Sequence, residues 1–138
     1  MKSLKYATLI PILELVLLSC ADDVENPAVI LSEVLDNRSS YDLEVTTEID
    51  GVTGIDTIES MTLDTLFMFG TFGQVQDFSD CILAPVNPIS IAVIGNDTLE
   101  ISLDPNNNEN WTFTIISENS NGGGEGRCTL EIGDDDIE

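Results

Sequence analysis

The side chains with the clearest reactive chemistry in this sequence are three cysteine thiols, Cys20, Cys81 and Cys128. A thiol can carry an acyl chain, and two thiols can be oxidised to a disulfide. The sequence contains no histidine, which excludes Ser-His and Cys-His nucleophile pairs, histidine general bases and histidine metal ligands. The chemistry of this chain therefore depends on the segments that surround its cysteines.

The amino-terminal segment has the composition of an export signal. Lys2 and Lys5 form a positively charged region, and residues 7–18 form an apolar region that is too short for a comfortable membrane span. We predict that residues 1–19 are a signal peptide that is removed. The alternatives are an ordinary secretory signal beside an incidental cysteine and a short buried segment of a cytosolic domain.

Cys20 follows a small residue, Ser19, and Leu17 lies three positions before it. This order resembles the lipobox of bacterial lipoproteins, whose cysteine becomes the lipidated first residue of the mature protein. The resemblance implies acylation of the Cys20 thiol and of its new amino group. It also implies stable attachment to a membrane, because anchoring takes more than one acyl chain.

Residues 20–28 are predicted to form the lipidated cysteine and an acidic tether. Asp22, Asp23 and Glu25 follow the cysteine closely, and this cluster resembles the export signal that many Bacteroidetes lipoproteins carry at the same place. The resemblance implies an outer-membrane lipoprotein, with the cell surface favoured over the periplasmic face.

The charge balance limits the class of partner. The chain has 4 basic and 26 acidic residues, and removing Lys2, Lys5 and Glu14 with the signal leaves 2 and 25, a net charge of −23. Such a surface repels nucleic acid and anionic headgroups, whose affinity for proteins rests on lysine and arginine. Nucleic acid is therefore excluded. The acidity indicates either solubility in a saline habitat or binding of a divalent cation or a basic protein.

The other two cysteines, Cys81 and Cys128, make an even pair in a compartment where disulfides persist. A bond between them would close a loop for which the chain-entropy estimate is about 4 kcal/mol, an upper figure because native strain subtracts from it. We predict this disulfide. The alternative is two separate buried thiols that behave as small hydrophobic side chains.

Strand patterns occupy the rest of the chain. In residues 41–49, apolar or β-branched side chains alternate with polar ones, which predicts a strand with one solvated face. Residues 63–69 are apolar on both faces, which predicts a central strand, and residues 95–97 (GND) predict a hairpin turn. Nine candidate segments give a prediction of seven or eight strands, and they are 29–35, 41–49, 55–58, 63–69, 81–83, 89–94, 98–103, 111–116 and 127–132.

The predicted fold is all-β, a single antiparallel β-sandwich over residues 29–138 with immunoglobulin-like topology. The spacing of strands favours a sandwich over a barrel without excluding a barrel. The layout resembles small cell-envelope lipoproteins of Bacteroidetes in its lipobox cysteine, its Asn37-Arg38-Ser39-Ser40 turn, its Thr57-Ile58-Glu59-Ser60 segment and its acidic final hairpin. That resemblance implies location and fold and carries no catalytic residues.

One loop has the oxygen-rich spacing of a calcium site. Asp104, Asn106 and Asn108 stand at alternate positions. The loop fails as an EF-hand, because Glu109 occupies the position that needs glycine and Ile115 the position that needs a bidentate glutamate. We predict a plain loop, with a weak calcium site as the alternative. For residues 134–136 (DDD) we likewise predict a solvated tail, with a cation site as the alternative.

These observations predict a non-enzymatic, lipid-anchored envelope protein without a cofactor, acting as a structural or binding module. One alternative is a calcium-dependent adhesion or glycan-binding domain, in which Trp111 would stack on a sugar instead of packing in the core. A second alternative is a hydrolase that uses paired carboxylates, which needs two carboxyl groups converging in a cleft.

Overall fold

Seven strands in two sheets and three short 3₁₀ helices make up the part of the chain that the structure describes. This computed structural model describes residues 26–49, 51–81 and 88–138. No helix in those ranges is long and apolar enough to cross a membrane. The strands are β1 (Ala28–Asn37), β2 (Leu43–Ile49), β3 (Val52–Ile58), β4 (Thr62–Phe72), β5 (Ser90–Val93), β6 (Trp111–Glu118) and β7 (Gly124–Ile132), and the 3₁₀ helices are Val75–Phe78, Asn108–Asn110 and Asp134–Asp136.

The strands form a four-stranded sheet A, in the order β4-β1-β7-β6, and a three-stranded sheet B, in the order β3-β2-β5. This arrangement confirms the predicted all-β sandwich. One pair departs from the expected antiparallel arrangement, since β1 and β7 run parallel from Val29 opposite Gly124 to Asn37 opposite Ile132. In an immunoglobulin constant domain the order is 1-2-5-4 and 3-6-7. The likeness to that fold therefore lies in the number of strands and layers, and the strand order differs.

The main core lies between the sheets. Leu35, Leu130 and Ile132 from sheet A pack with Leu43 and Val45 from sheet B, and every one of these side chains is buried. Burying each large apolar side chain contributes about 1.5–3 kcal/mol. A second cluster beneath the amino end of β1 consists of Val29, Leu31, Val75, Cys81 and Cys128.

The strand predicted at residues 41–49 is observed as Leu43–Ile49, and its alternation of buried and exposed side chains is confirmed over residues 43–45. Leu43 and Val45 are buried and Glu44 between them is exposed. Beyond Val45 the hairpin of β2 and β3 becomes progressively solvated, and Ile49 and Val52 near its tip are exposed. Only the half of this hairpin that lies away from its tip contributes to the core.

The prediction that residues 63–69 form a central strand is wrong. β4 pairs with β1 on one side and has no strand on its other side among the described residues. Phe67 and Phe69 pack against the core clusters, whereas Leu63 and Met68 are exposed. The apolar residues on the second face of β4 therefore mark an uncovered surface.

The hairpin predicted at residues 95–97 is also wrong. The Asn96 side chain accepts hydrogen bonds from the backbone N–H and hydroxyl of Thr98, at 3.2 and 2.7 Å, which forms a local turn. The following segment pairs with the end of the chain instead, because Ile101 forms a bridge with Ile137 and Glu100 exchanges backbone hydrogen bonds with Glu138.

Two further segment predictions need correction, both at glycines. Gly54 lies before the candidate segment 55–58 but is part of β3, opposite Thr47. β7 begins at Gly124, three residues before the candidate segment 127–132. Gly126 is required there, since a Cβ atom would stand 2.8 Å from the Phe113 ring and 3.0 Å from Leu31. Glycine has low strand propensity, so a pattern of side chains does not reveal these strand residues.

The strand predicted at residues 81–83 has only its first residue in the described ranges. Cys81 lies outside any strand and has a positive φ of 52°. The rest of that segment lies outside the described residues.

Asn37, at the end of β1, joins the two sheets. Its side chain is fully buried, and its Nδ2 donates to the carbonyl oxygens of Tyr41 and Glu59 at 2.8 and 3.0 Å. Its Oδ1 accepts from the hydroxyl and backbone N–H of Ser39 at 2.7 and 3.1 Å. One amide therefore fixes both the turn after β1 and the turn after β3, where Glu59 lies.

We expect Asn37→Ala to lower the free energy of unfolding by about 3 kcal/mol, because it leaves buried carbonyl and hydroxyl groups without partners. Asn96→Ala removes a similar local bond at an exposed turn and should cost about 0.5 kcal/mol. Chemical denaturation followed by circular dichroism measures both. Equal costs for the two variants would contradict the role assigned to Asn37.

Candidate functional site

The predicted lipidation site, Cys20, lies outside the residues that the structure describes. The chain enters the described region at Asn26, and the backbone of Pro27 accepts a hydrogen bond from Gly73 at 2.9 Å. From Cys20 to the first residue of β1, Ala28, the chain can extend at most about 29 Å. An acyl group on Cys20 would therefore hold the amino end of β1 within that distance of a membrane surface.

The predicted disulfide between Cys81 and Cys128 is confirmed. The two sulfurs are bonded at 2.01 Å and the Cα atoms are 5.7 Å apart. Cys128 is fully buried in β7, and Cys81 follows the 3₁₀ helix Val75–Phe78, where its N–H donates to the Phe78 carbonyl at 3.1 Å. The bond ties this helix and the loop after it to the centre of sheet A.

In the loop that was weighed as a calcium site, the side chains form hydrogen bonds within the protein. Asn106 pairs with the backbone of Ile89, accepting from its N–H and donating to its carbonyl, both at 2.9 Å. Asp104 Oδ1 accepts from the Asn106 N–H at 2.9 Å, and Asn110 donates to the Asp104 carbonyl at 2.8 Å. These contacts anchor the loop to the start of β5. The calcium alternative for Asp104, Asn106 and Asn108 stays a prediction.

The acidic run at residues 134–136 does not form the solvated tail expected from its composition. Asp134 accepts hydrogen bonds from the N–H and hydroxyl of Ser40 at 2.7 and 2.9 Å. Asp136 accepts from the Gly133 N–H at 2.8 Å, and its own carbonyl oxygen accepts from Ser102 at 2.8 Å. Two of the three aspartates thus hold the carboxyl end against the body of the protein.

Two carboxylates converge at Arg38. Its Nε lies 2.8 Å from Asp36 Oδ2 and its guanidinium Nη1 lies 2.7 Å from Glu131 Oε1. Both carboxylates are therefore engaged in ion pairs with the same guanidinium, and the hydrolase alternative stays a prediction. The same side chains tie β1 to β7. In the described ranges no three histidine, cysteine or acidic residues are grouped so that they could hold a metal ion.

Trp111, a candidate for stacking on a sugar, belongs to the core. It packs against both apolar clusters, and its indole N–H donates to the Pro105 carbonyl at 2.9 Å. The interpretation of Trp111 as a core residue is confirmed.

Sequence reasoning missed the charge of the outer face of sheet A. Both arginines of the sequence lie there, Arg38 beside β1 and Arg127 in β7. The carboxylates on that face are Asp36, Glu125 and Glu131, so its net charge is −1. The period-2 alternation of β7 does carry this signal, because Arg127 must face away from the buried Cys128.

We expect the double substitution Cys81→Ala, Cys128→Ala to lower the free energy of unfolding by about 2–4 kcal/mol, since the bond no longer restricts the unfolded chain. Denaturant titration with and without a reducing agent measures the effect. The reducing agent should destabilise the parent protein and leave the double variant unchanged. A parent protein insensitive to reduction would contradict the bond.

We expect calcium chloride and sodium chloride at matched ionic strength to raise the melting temperature equally, because both screen an acidic surface. The Asn106 side-chain oxygen already accepts a hydrogen bond from the backbone N–H of Ile89. Thermal unfolding in both salts measures the shifts. An excess shift in calcium that Asn106→Ala abolishes, and that a substitution at the exposed Glu100 leaves intact, would establish the calcium alternative.

No family model, curated protein or solved structure matches this chain. The described residues form a disulfide-closed β-sandwich whose first strand begins eight residues after Cys20.

Proposed function

We propose that this protein is a lipid-anchored module of the bacterial cell envelope that acts by binding or by structural support, without catalysis. One observation carries the proposal. Cys81 and Cys128 are bonded to each other in the core, and structural disulfides persist in oxidising compartments outside the cytosol. The pairing leaves Cys20 as the remaining cysteine, in the sequence order that resembles a lipobox.

The position of the first strand supports an anchor at Cys20. β1 begins at Ala28, so the eight residues from Cys20 form a tether that reaches at most about 29 Å. Asp22, Asp23 and Glu25 on this tether repel anionic headgroups. The acidic domain is therefore expected to stand away from the bilayer within the length of its tether, with its surface open to the medium.

The charge of the molecule defines the partner class of such a module. With a net charge of −22 for the whole chain, long-range attraction acts on basic proteins and divalent cations, and it weakens as salt shortens the screening length to about 8 Å at 0.15 M. Binding by this surface would therefore depend strongly on ionic strength.

We expect Cys20→Ala to abolish membrane attachment and the incorporation of labelled palmitate, because the acylated thiol is removed. Fractionation of cells and detection of the label measure both. The matched control is the double substitution Cys81→Ala, Cys128→Ala, which removes thiols but should keep the palmitate label. A Cys20→Ala protein that stays in the membrane fraction with its label would contradict the anchor.

A further inference from the structure

The long edge strand β4 has an uncharged segment, Phe67–Phe72, with no strand paired to its outer side among the described residues. The register shift opposite Glu33 and Val34 places a bulge just before this segment, and from Phe67 to Phe72 its pairing with β1 is regular. Natural proteins protect such edges with lysine, proline or a bulge. This segment contains neither lysine nor proline, and it lies beyond the bulge.

Two large apolar side chains of this segment face solvent. Met68 and Phe72 are 65% and 72% exposed, and they stand on the outer face of sheet A, opposite Ser32 and Ala28 of β1. Gly70 lies between them on the same face. The segment therefore presents two apolar side chains that flank a gap.

No contact among the described residues accounts for a glycine at position 70. Its φ lies outside the positive range, and a Cβ atom built there would meet no atom within 4 Å. Glycine weakens a strand, and in a strand interior it often marks a place where another backbone approaches closely. A strand paired at this edge would therefore meet no side chain at Gly70.

The other edges are less suited to pairing with another chain. β3 carries Asp56 in its second half, β5 has four residues, and β6 is contacted by the 3₁₀ helix Val75–Phe78, whose Gln76 bonds to Glu118 at 3.0 Å. A basic partner would be drawn to the acidic surfaces. The uncharged edge of β4 is where a second molecule of equal negative charge meets the least repulsion.

We propose that Met68–Phe72, within this segment, pairs antiparallel with the same five residues of a second copy of this chain, about a two-fold axis at Gly70. In this register Met68 of one copy lies opposite Phe72 of the other on one face, so the contact is self-complementary, as a two-fold interface requires. The backbone groups on the open side of the segment become paired. The dimer does not depend on the lipid anchor, although attachment to one surface would raise the local concentration of copies.

A paired segment of five residues spans only about 17 Å, so the contact is smaller than a standard interface and the dimer is weak. Repulsion between two copies acts over a screening length of about 30 Å at 0.01 M salt and about 8 Å at 0.15 M. The dimer fraction should therefore rise as salt is added.

Photo-cross-linking in cells tests the occupant of this edge. A photoreactive residue replaces Met68 in the full-length chain, and tagged and untagged copies are expressed together. We expect a product of twice the mass of the monomer found in the same cells, and it should carry both forms. The control position is Val52, which is 70% exposed on β3 and should give none. Products with lipid or another protein alone, larger ladders of this chain, or equal yields at both positions would overturn the proposal.

A pair of charge substitutions tests the register. Gly70→Glu places two like charges opposite each other at the axis, and we expect it to lower the yield of the cross-linked dimer by about fivefold or more. Ile55→Glu, at an exposed position of β3, adds the same charge and should leave the yield unchanged. Both variants should keep the parent melting temperature. A dimer yield that Gly70→Glu leaves unchanged would overturn the register and with it the proposal.

Discussion

The parallel pairing of β1 with β7 is the constraint on which the rest of the structure depends. It joins the first and last of the described strands along the middle of sheet A. Because β1 runs between β4 and β7, residues 31–35 of β1 are buried on both faces. The same register brings Cys128 into the second core cluster and lets Arg38 reach Glu131. Contacts between residues so far apart in sequence are slow to form, so we expect the pairing of β1 with β7 to limit the folding rate.

Local alternation of side chains made much of the fold predictable. The pattern of residues 41–49 predicted β2, and the even pair of cysteines that remains beside Cys20 predicted the disulfide. The failures have a common cause, which is that pairing depends on contacts distant in sequence. The segment after Asn96 looked like the second strand of a hairpin, and it pairs instead with the last residues of the chain. β4 looked central because it is apolar on both faces, yet no sequence pattern distinguishes a buried face from an uncovered one.

The candidate site was less predictable than the fold. The side chains of Asp104 and Asn106 have the oxygen atoms that calcium requires, but backbone groups of the loop and of Ile89 occupy them. Spacing alone does not show which partner an amide will take. Asn37, whose side chain joins the turns after β1 and β3, gave no signal in sequence beyond its place in a turn.

The direction of the terminal strands has a mechanical consequence. Since β1 and β7 are parallel, the amino end of β1 and the carboxyl end of β7 lie at opposite ends of the sheet. A pull between these two points runs along both strands and loads the whole ladder of hydrogen bonds in shear, so the bonds must fail together and not one after another. Arg38, bonded to Asp36 and Glu131, crosses the same boundary and resists the same sliding. This geometry resists a force applied between those two points better than one that would unpair the strands bond by bond.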